Sequence, residues 1–136
     1  MARIYKRTDR IVVKIDDVTL KLAPLTLAQK SEVQQALLLG HTKSDLREAT
    51  RGVALAIKYS VKTIEGVVDT DGNPYQLEMS DGELTDACVD DLMNMELLDK
   101  LALVCSSFAK GVPTEFKDID GVELVKPPKA TDLKNG

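Results

Sequence analysis

Ile11-Val12-Val13-Lys14-Ile15-Asp16-Asp17-Val18-Thr19-Leu20-Lys21-Leu22 sets β-branched residues in near-alternation on either side of a two-residue acidic centre. With Asp16 and Asp17 as the turn, Ile15 faces Val18, Val13 faces Leu20 and Ile11 faces Leu22. Every one of those apolar side chains then shares one face. Lys14 faces Thr19 on the wet side. The stretch therefore predicts a β-hairpin, although Asp-Asp is a weaker turn pair than Asn-Gly because each Asp carries a Cβ that disfavours positive φ.

Downstream, Ala23-Pro24-Leu25 breaks the strand pattern and Thr26-Leu27-Ala28-Gln29 forms a capping box, which predicts a helix through Val33, Ala36 and Leu37 to Gly40, with Gly40 as the left-handed residue beyond its end. Leu37, Leu38 and Leu39 sweep about 200° of that helix, wider than one buried stripe, so one of them is expected to point away from the core. After His41-Thr42-Lys43-Ser44, the spacing of Leu46, Ala49, Val53, Ile57, Val61 and Ile64 predicts a second helix, made basic by Lys43, Arg47, Arg51, Lys58 and Lys62. Asp71-Gly72 suits the tip of a small second hairpin that pairs Val68 with Tyr75 and Gly66 with Leu77. Ser80-Asp81-Gly82-Glu83 has the form of another capping box, opening a third helix with Leu84, Cys88, Leu92 and Met95 on one side and Asp86, Asp90 and Asp91 mostly on the other. Asn94 is placed to cap a fourth helix carrying Leu97, Leu98, Leu101, Val104, Cys105 and Phe108, closed by Lys110-Gly111 before Pro113.

The expected fold is α+β: an N-terminal β-hairpin, a mainly helical body of about four helices, a small second hairpin and a flexible C-terminal tail. Residues 1–111 form a single domain in this reading, and residues 112–136, which hold three of the five prolines, form the tail. A chain of 136 residues that is 43% hydrophobic can bury roughly two thirds of the surface its unfolded form exposes.

Charge is divided along the chain. Residues 1–62 carry 12 basic and 6 acidic side chains, whereas residues 63–136 carry 6 and 16. The acidic half can neutralise the basic half, and with no Trp and 4% aromatic residues there is little to stack on bases, so no nucleic-acid partner is expected. Opposite-charge pairing through Arg47 and Arg51 against Asp86, Asp90 and Asp91 can close within one subunit or join neighbours head to tail, which leaves a homo-oligomer as one of two outcomes. No signal-peptide core follows the basic start, and no run of 18 apolar residues occurs, so no membrane contact is expected either.

The chemical motifs are thin. Asp69-Thr70-Asp71-Gly72-Asn73 begins like a calcium loop, but Pro74 stands where that loop needs glycine and Ser80 where it needs a bidentate Glu, which leaves a hairpin tip. Cys88 and Cys105 fall on apolar helical stripes as small buried thiols do, and His41 has no local partner for thiol catalysis. Asp86, Asp90 and Asp91 have the character of a solvated helix face, not a catalytic carboxylate pair. No phosphate-binding glycine loop or nucleophile elbow is present. The expectation is a protein without catalytic residues, metal or cofactor.

The order of these elements resembles a known family. A short basic leader, the hairpin Ile11 to Leu22, then Pro24-Leu25-Thr26 opening a helix and a mostly helical body is similar to the tail assembly chaperones of long-tailed bacteriophages, over about residues 10 to 111. The resemblance implies a non-enzymatic protein in the cytoplasm of the infected host. It would coat the tape measure protein and keep it soluble until tail tube subunits replace it. It also implies a longer form made by frameshifting, for which Lys134-Asn135 is the place in this chain. Transient coating needs exposed apolar positions, and Leu38, Leu39, Met93, Leu97 and Leu98 are the candidates, with Met95 beside them. The competing expectations are a small virion protein of the tail or head-to-tail junction and a helical adaptor for another protein.

Overall fold

In the computed structural model, which describes residues 2–125, the expected α+β architecture is present. Strands β1 (Ile11–Ile15) and β2 (Val18–Leu22) form the N-terminal hairpin in the predicted register, from Ile11 opposite Leu22 to Ile15 opposite Val18. The turn places Asp16 at φ 53, a conformation that Asp tolerates better than most residues with a Cβ. Ile11, Val13, Ile15, Val18, Leu20 and Leu22 are all buried, while Lys14 and Lys21 stand exposed on the other face.

Helix α1 (Leu27–Thr42) starts at the predicted capping box: Thr26 Oγ1 accepts from the Gln29 amide at 3.2 Å and Gln29 Oε1 accepts from the Thr26 amide at 2.9 Å. It does not stop at Gly40. It ends two residues later, with Ser44 at φ 51 as the left-handed residue and the Asp45 amide donating to Gly40 O at 3.1 Å, the long-range bond of a Schellman turn. Asp45 then caps helix α2 (Leu46–Ser60) by accepting from the Arg47 amide. Gly40 has a different task. A Cβ built there would lie 2.6 Å from the Ala49 nitrogen, and one built at Gly52 would lie 2.7 Å from Leu37 Cδ2, so these two glycines let the antiparallel α1–α2 pair close up.

The predicted second helix ends early. Val61–Glu65 is strand β3, antiparallel to β2, and the Ser60 carbonyl accepts from the Ala23 amide at the junction. Val61, Thr63 and Ile64 are β-branched and suit a pleated surface, and Val61 enters the core there.

The loop after β3 places Asp71-Gly72 at a turn, but in a shifted register: Val68 bridges Pro74, not Tyr75, and the Tyr75 amide donates to Val67 O. Asp69 Oδ1 accepts from the amides of Asp71 and Asn73 and shapes the turn. A second small hairpin lies further on. Ser80-Asp81-Gly82-Glu83 is its turn, not a capping box, joining β4 (Met79–Ser80) to β5 (Glu83–Leu84); Asp81 at φ 54 and Gly82 at φ 80 meet the need of a two-residue hairpin loop for positive φ at both centres.

Helix α3 is accordingly short, Asp86–Leu92, and is capped by Thr85, whose hydroxyl accepts from the Cys88 amide. Helix α4 (Leu98–Ser107) is not capped by Asn94, whose side-chain amide donates to Asp90 O; the residue before the helix is Leu97, at φ 70. Leu101, Val104, Cys105 and Phe108 turn inward from α4 and its end to meet Ala56 and Ile57 of α2 and the buried sheet face.

The expected flexible tail from residue 112 begins as ordered chain. Val122–Leu124 forms strand β6, antiparallel to β1, which completes a sheet in the order β3-β2-β1-β6. Phe116, Ile119, Val122 and Leu124 pack against the core, and Asp16 N donates to Gly121 O at 2.7 Å. Apolar burial and a main-chain ladder thus hold a segment whose prolines and charges pointed to looseness. Lys134-Asn135 and the rest of the expected tail beyond Val125 lie outside the described residues.

Candidate functional site

The α1–α2 pair presents three exposed leucines on its outer surface. Leu27 is 82% exposed, Leu38 60% and Leu46 79%. Leu27 and Leu38 are 11 positions apart, about three helical turns, and so lie on one side of α1. Leu38 is thus the member of the leucine triplet that points away from the core. Leu37 packs on Gly52 and Leu39 is half-buried. Met93, Met95, Leu97 and Leu98 are also half-buried and packed against the core, so they offer an incoming helix less than Leu38 does.

The charged positions are distributed differently from a simple basic face opposite an acidic one. Arg47 lies beside Asp45 at 3.9 Å, and Arg51 sits between Glu48 at 3.5 Å and Glu32 at 4.0 Å. Asp86 meets Lys58 of α2 at 3.4 Å, so part of the opposite-charge pairing closes within the subunit. Such exposed pairs add little stability. Asp90 remains exposed, and Asp91 accepts from the Tyr75 hydroxyl at 2.7 Å. Tyr59 is linked in the same way to Glu32 across the α1–α2 pair. Burial, and next its bond to Glu32, push the Tyr59 hydroxyl up to about 12; burial, then Cys88 and Asp91, raise Tyr75 as well. Both phenols are therefore neutral donors at ordinary pH.

Tyr75 and Asp91 stand at the edge of an open cleft of about 680 Å³ between the β1–β2 turn, the loop after β3 and the α3–α4 connection. Val18, Val67, Leu92, Met95 and Leu97 supply its apolar lining. Asp17, Asp69, Asp91 and Glu96 supply its charge, and no Lys or Arg lines it. Among the described residues none of these four carboxylates has a cationic nitrogen within 4.0 Å. Sequence spacing did not reveal this cleft because its walls come from three separate segments, two of them turns; of the candidate residues only Asp91, Met95 and Leu97 belong to it. The excess of acid after residue 62 was the signal that pointed toward it.

His41 lies exposed on the last turn of α1, and the buried Cys88 and Cys105 are reduced. Burial pushes the Cys105 thiol up to about 12, which removes its thiolate character at neutral pH. Among the described residues no group of three or more His, Cys, Asp or Glu is placed to hold a metal ion, and no helix is long and apolar enough to cross a membrane. Comparison with protein-family models, with curated proteins and with solved structures finds no match to this chain.

Proposed function

We propose that the protein is a non-enzymatic tail assembly chaperone of a long-tailed bacteriophage. It acts in the cytoplasm of the infected host, binds the tape measure protein and helps recruit tail tube subunits. The observation that carries this reading is the set of exposed leucines on the α1–α2 pair, Leu27 and Leu38 along one side of α1 and Leu46 at the start of α2. An amphipathic helix laid against such a set buries its apolar side against the leucines and leaves both partners' charges in water. The binding so formed is small in area, as reversible coating requires. The resemblance in element order, from the basic leader through the hairpin to Pro24-Leu25-Thr26, supports the same reading.

Co-expression with the tape measure protein tests it. The expected result is a soluble complex recovered by pull-down at both low and high salt, lost in the Leu38→Glu, Leu46→Glu double variant, with no copy of the chain in purified particles. Stoichiometric amounts in finished particles would assign the protein to the tail or the head-to-tail junction instead. A double variant that binds as well as the parent chain would remove the leucines from the mechanism.

A further inference from the structure

We propose that the acidic cleft receives the N-terminal arm of a second copy of this chain, so that subunits associate head to tail. This does not depend on the tape measure reading, because it uses a different surface.

The cleft asks for an apolar side chain flanked by positive charge. Its apolar lining is mainly Val, Leu and Met, its edge carries Asp17, Asp69, Asp91 and Glu96, and its volume of about 680 Å³ is enough for a few side chains. The arm offers that chemistry. In Arg3-Ile4-Tyr5-Lys6-Arg7, Ile4 is 85% exposed, and Arg3, Lys6 and Arg7 are exposed with no carboxylate oxygen within 4.0 Å among the described residues. The base of the arm is held. Tyr5 packs against the core, the Lys6 amide donates to Asp9 Oδ2 at 2.7 Å, and Arg10 Nη1 donates to the carbonyls of Arg7 and Asp9. Only the tip around Ile4 is left to project.

Placement decides between one subunit and two. The arm leads into β1 at Ile11, whereas Asp17 and Val18 of the cleft lie just past the other end of that strand. An arm fixed at Tyr5 and at the Lys6–Asp9 turn would have to reverse along roughly 13 Å of strand to reach its own cleft. A neighbour stacked on the turn end meets the cleft directly. Made in one direction only, a contact between two different surfaces is heterologous and repeats into a ring or an open filament.

Sedimentation velocity on the full chain, over a range of concentrations and at low and high salt, provides the test. The expected result is association that grows with concentration and weakens at least tenfold between 0.05 M and 0.5 M salt, roughly the range over which screening of exposed charges takes hold. Arm reversal (Arg3→Glu, Lys6→Glu, Arg7→Glu) and cleft reversal (Asp17→Lys, Glu96→Lys) should each leave monomers, and an equimolar mixture of the two should assemble again. Ile4→Ser should weaken association at both salt concentrations. A parent chain that stays monomeric at every concentration, or a mixture that does not recover, overturns the proposal. Loss on cleft reversal alone, with arm reversal silent, gives the cleft to another occupant and equally overturns it. The Ile4→Cys and Glu96→Cys variants should cross-link when mixed; a link formed only when both changes share one chain would mean that the arm folds back on its own subunit.

Discussion

The β1–β2 hairpin with the α1–α2 pair and the stretch from Gly66 to Leu97 are held by different forces. In the first, one buried apolar face and regular main-chain bonding carry most of the structure, with side-chain caps at the helix starts, Thr26 and Asp45. In the second, side chains bonded to nearby backbone do much of the work: Asp69 on Asp71 and Asn73, Thr85 on Cys88, Asn94 on Asp90. Among the described residues, four with a Cβ adopt positive φ, Asp16 and Ser44 in the turns of the first region and Asp81 and Leu97 in the second, and the last of these is a bulky side chain at the mouth of the cleft. The lesson is a division of labour. Regular elements bury the core, and the irregular stretch builds the concave surface.

The largest expected difference between the two regions is the response to truncation. Leu20→Ala, at a fully buried position of the hairpin, should cost about 3 kcal/mol in urea denaturation, whereas Val68→Ala, at a position 61% exposed, should change stability by less than about 0.5 kcal/mol. Equal losses at the two sites would break the comparison.

Gly40→Ala comes next. Helix propensity alone favours alanine by about 1 kcal/mol, but the new Cβ would meet the Ala49 backbone, so a net loss of about 1–2 kcal/mol is expected from thermal or chemical unfolding. A gain would mean that the helices part without penalty.

Alkaline pH probes the α1–α2 pair. The Tyr59 hydroxyl is raised from 10.0 to about 12, so the folded state holds its proton where the unfolded chain has lost it. That contribution is complete below pH 10 and disappears as pH rises toward 12. Tyr59→Phe should cost about 1 kcal/mol at pH 8 and flatten the fall in stability between pH 10 and 12. Unfolding curves for parent and variant at pH 8 and pH 11 would show it, and parallel losses would refute the link. The smallest effect is expected in the irregular stretch: Asp81→Asn, which keeps the left-handed turn and suits it better, should add about 0.3 kcal/mol or less.

Legibility in the sequence followed the same division. The hairpin register and the α1 capping box could be read because period-two alternation and a Thr-x-x-Gln pattern each allow essentially one structure. The join at Ser60-Val61 could not, since Ile57, Val61 and Ile64 also satisfy helical spacing and no Gly or Pro marks the break; the strand is selected by pairing with β2, a contact made across the chain. Asp81-Gly82 carried a turn signal that the overlapping Ser-x-x-Glu pattern masked. Gly40 looked like a helix end because its use as a point of helix contact depends on Ala49 being opposite. The cleft depended on three separate segments meeting, and no local pattern records that. Of the candidate partner-binding residues, Leu38 was legible because three consecutive leucines cannot all face one core.

Strand β6 sets Leu124 opposite Val13. During synthesis the first strand of the sheet is therefore made long before the neighbour that covers its outer edge. Until Val122–Leu124 has left the ribosome, β1 offers unpaired amides and carbonyls to any other extended chain, including another growing copy. The finished subunit hides that edge, so crowding on a polysome is the moment at which this protein is most open to mispairing, and infrequent initiation, which spaces the growing chains apart, is the condition that spares it.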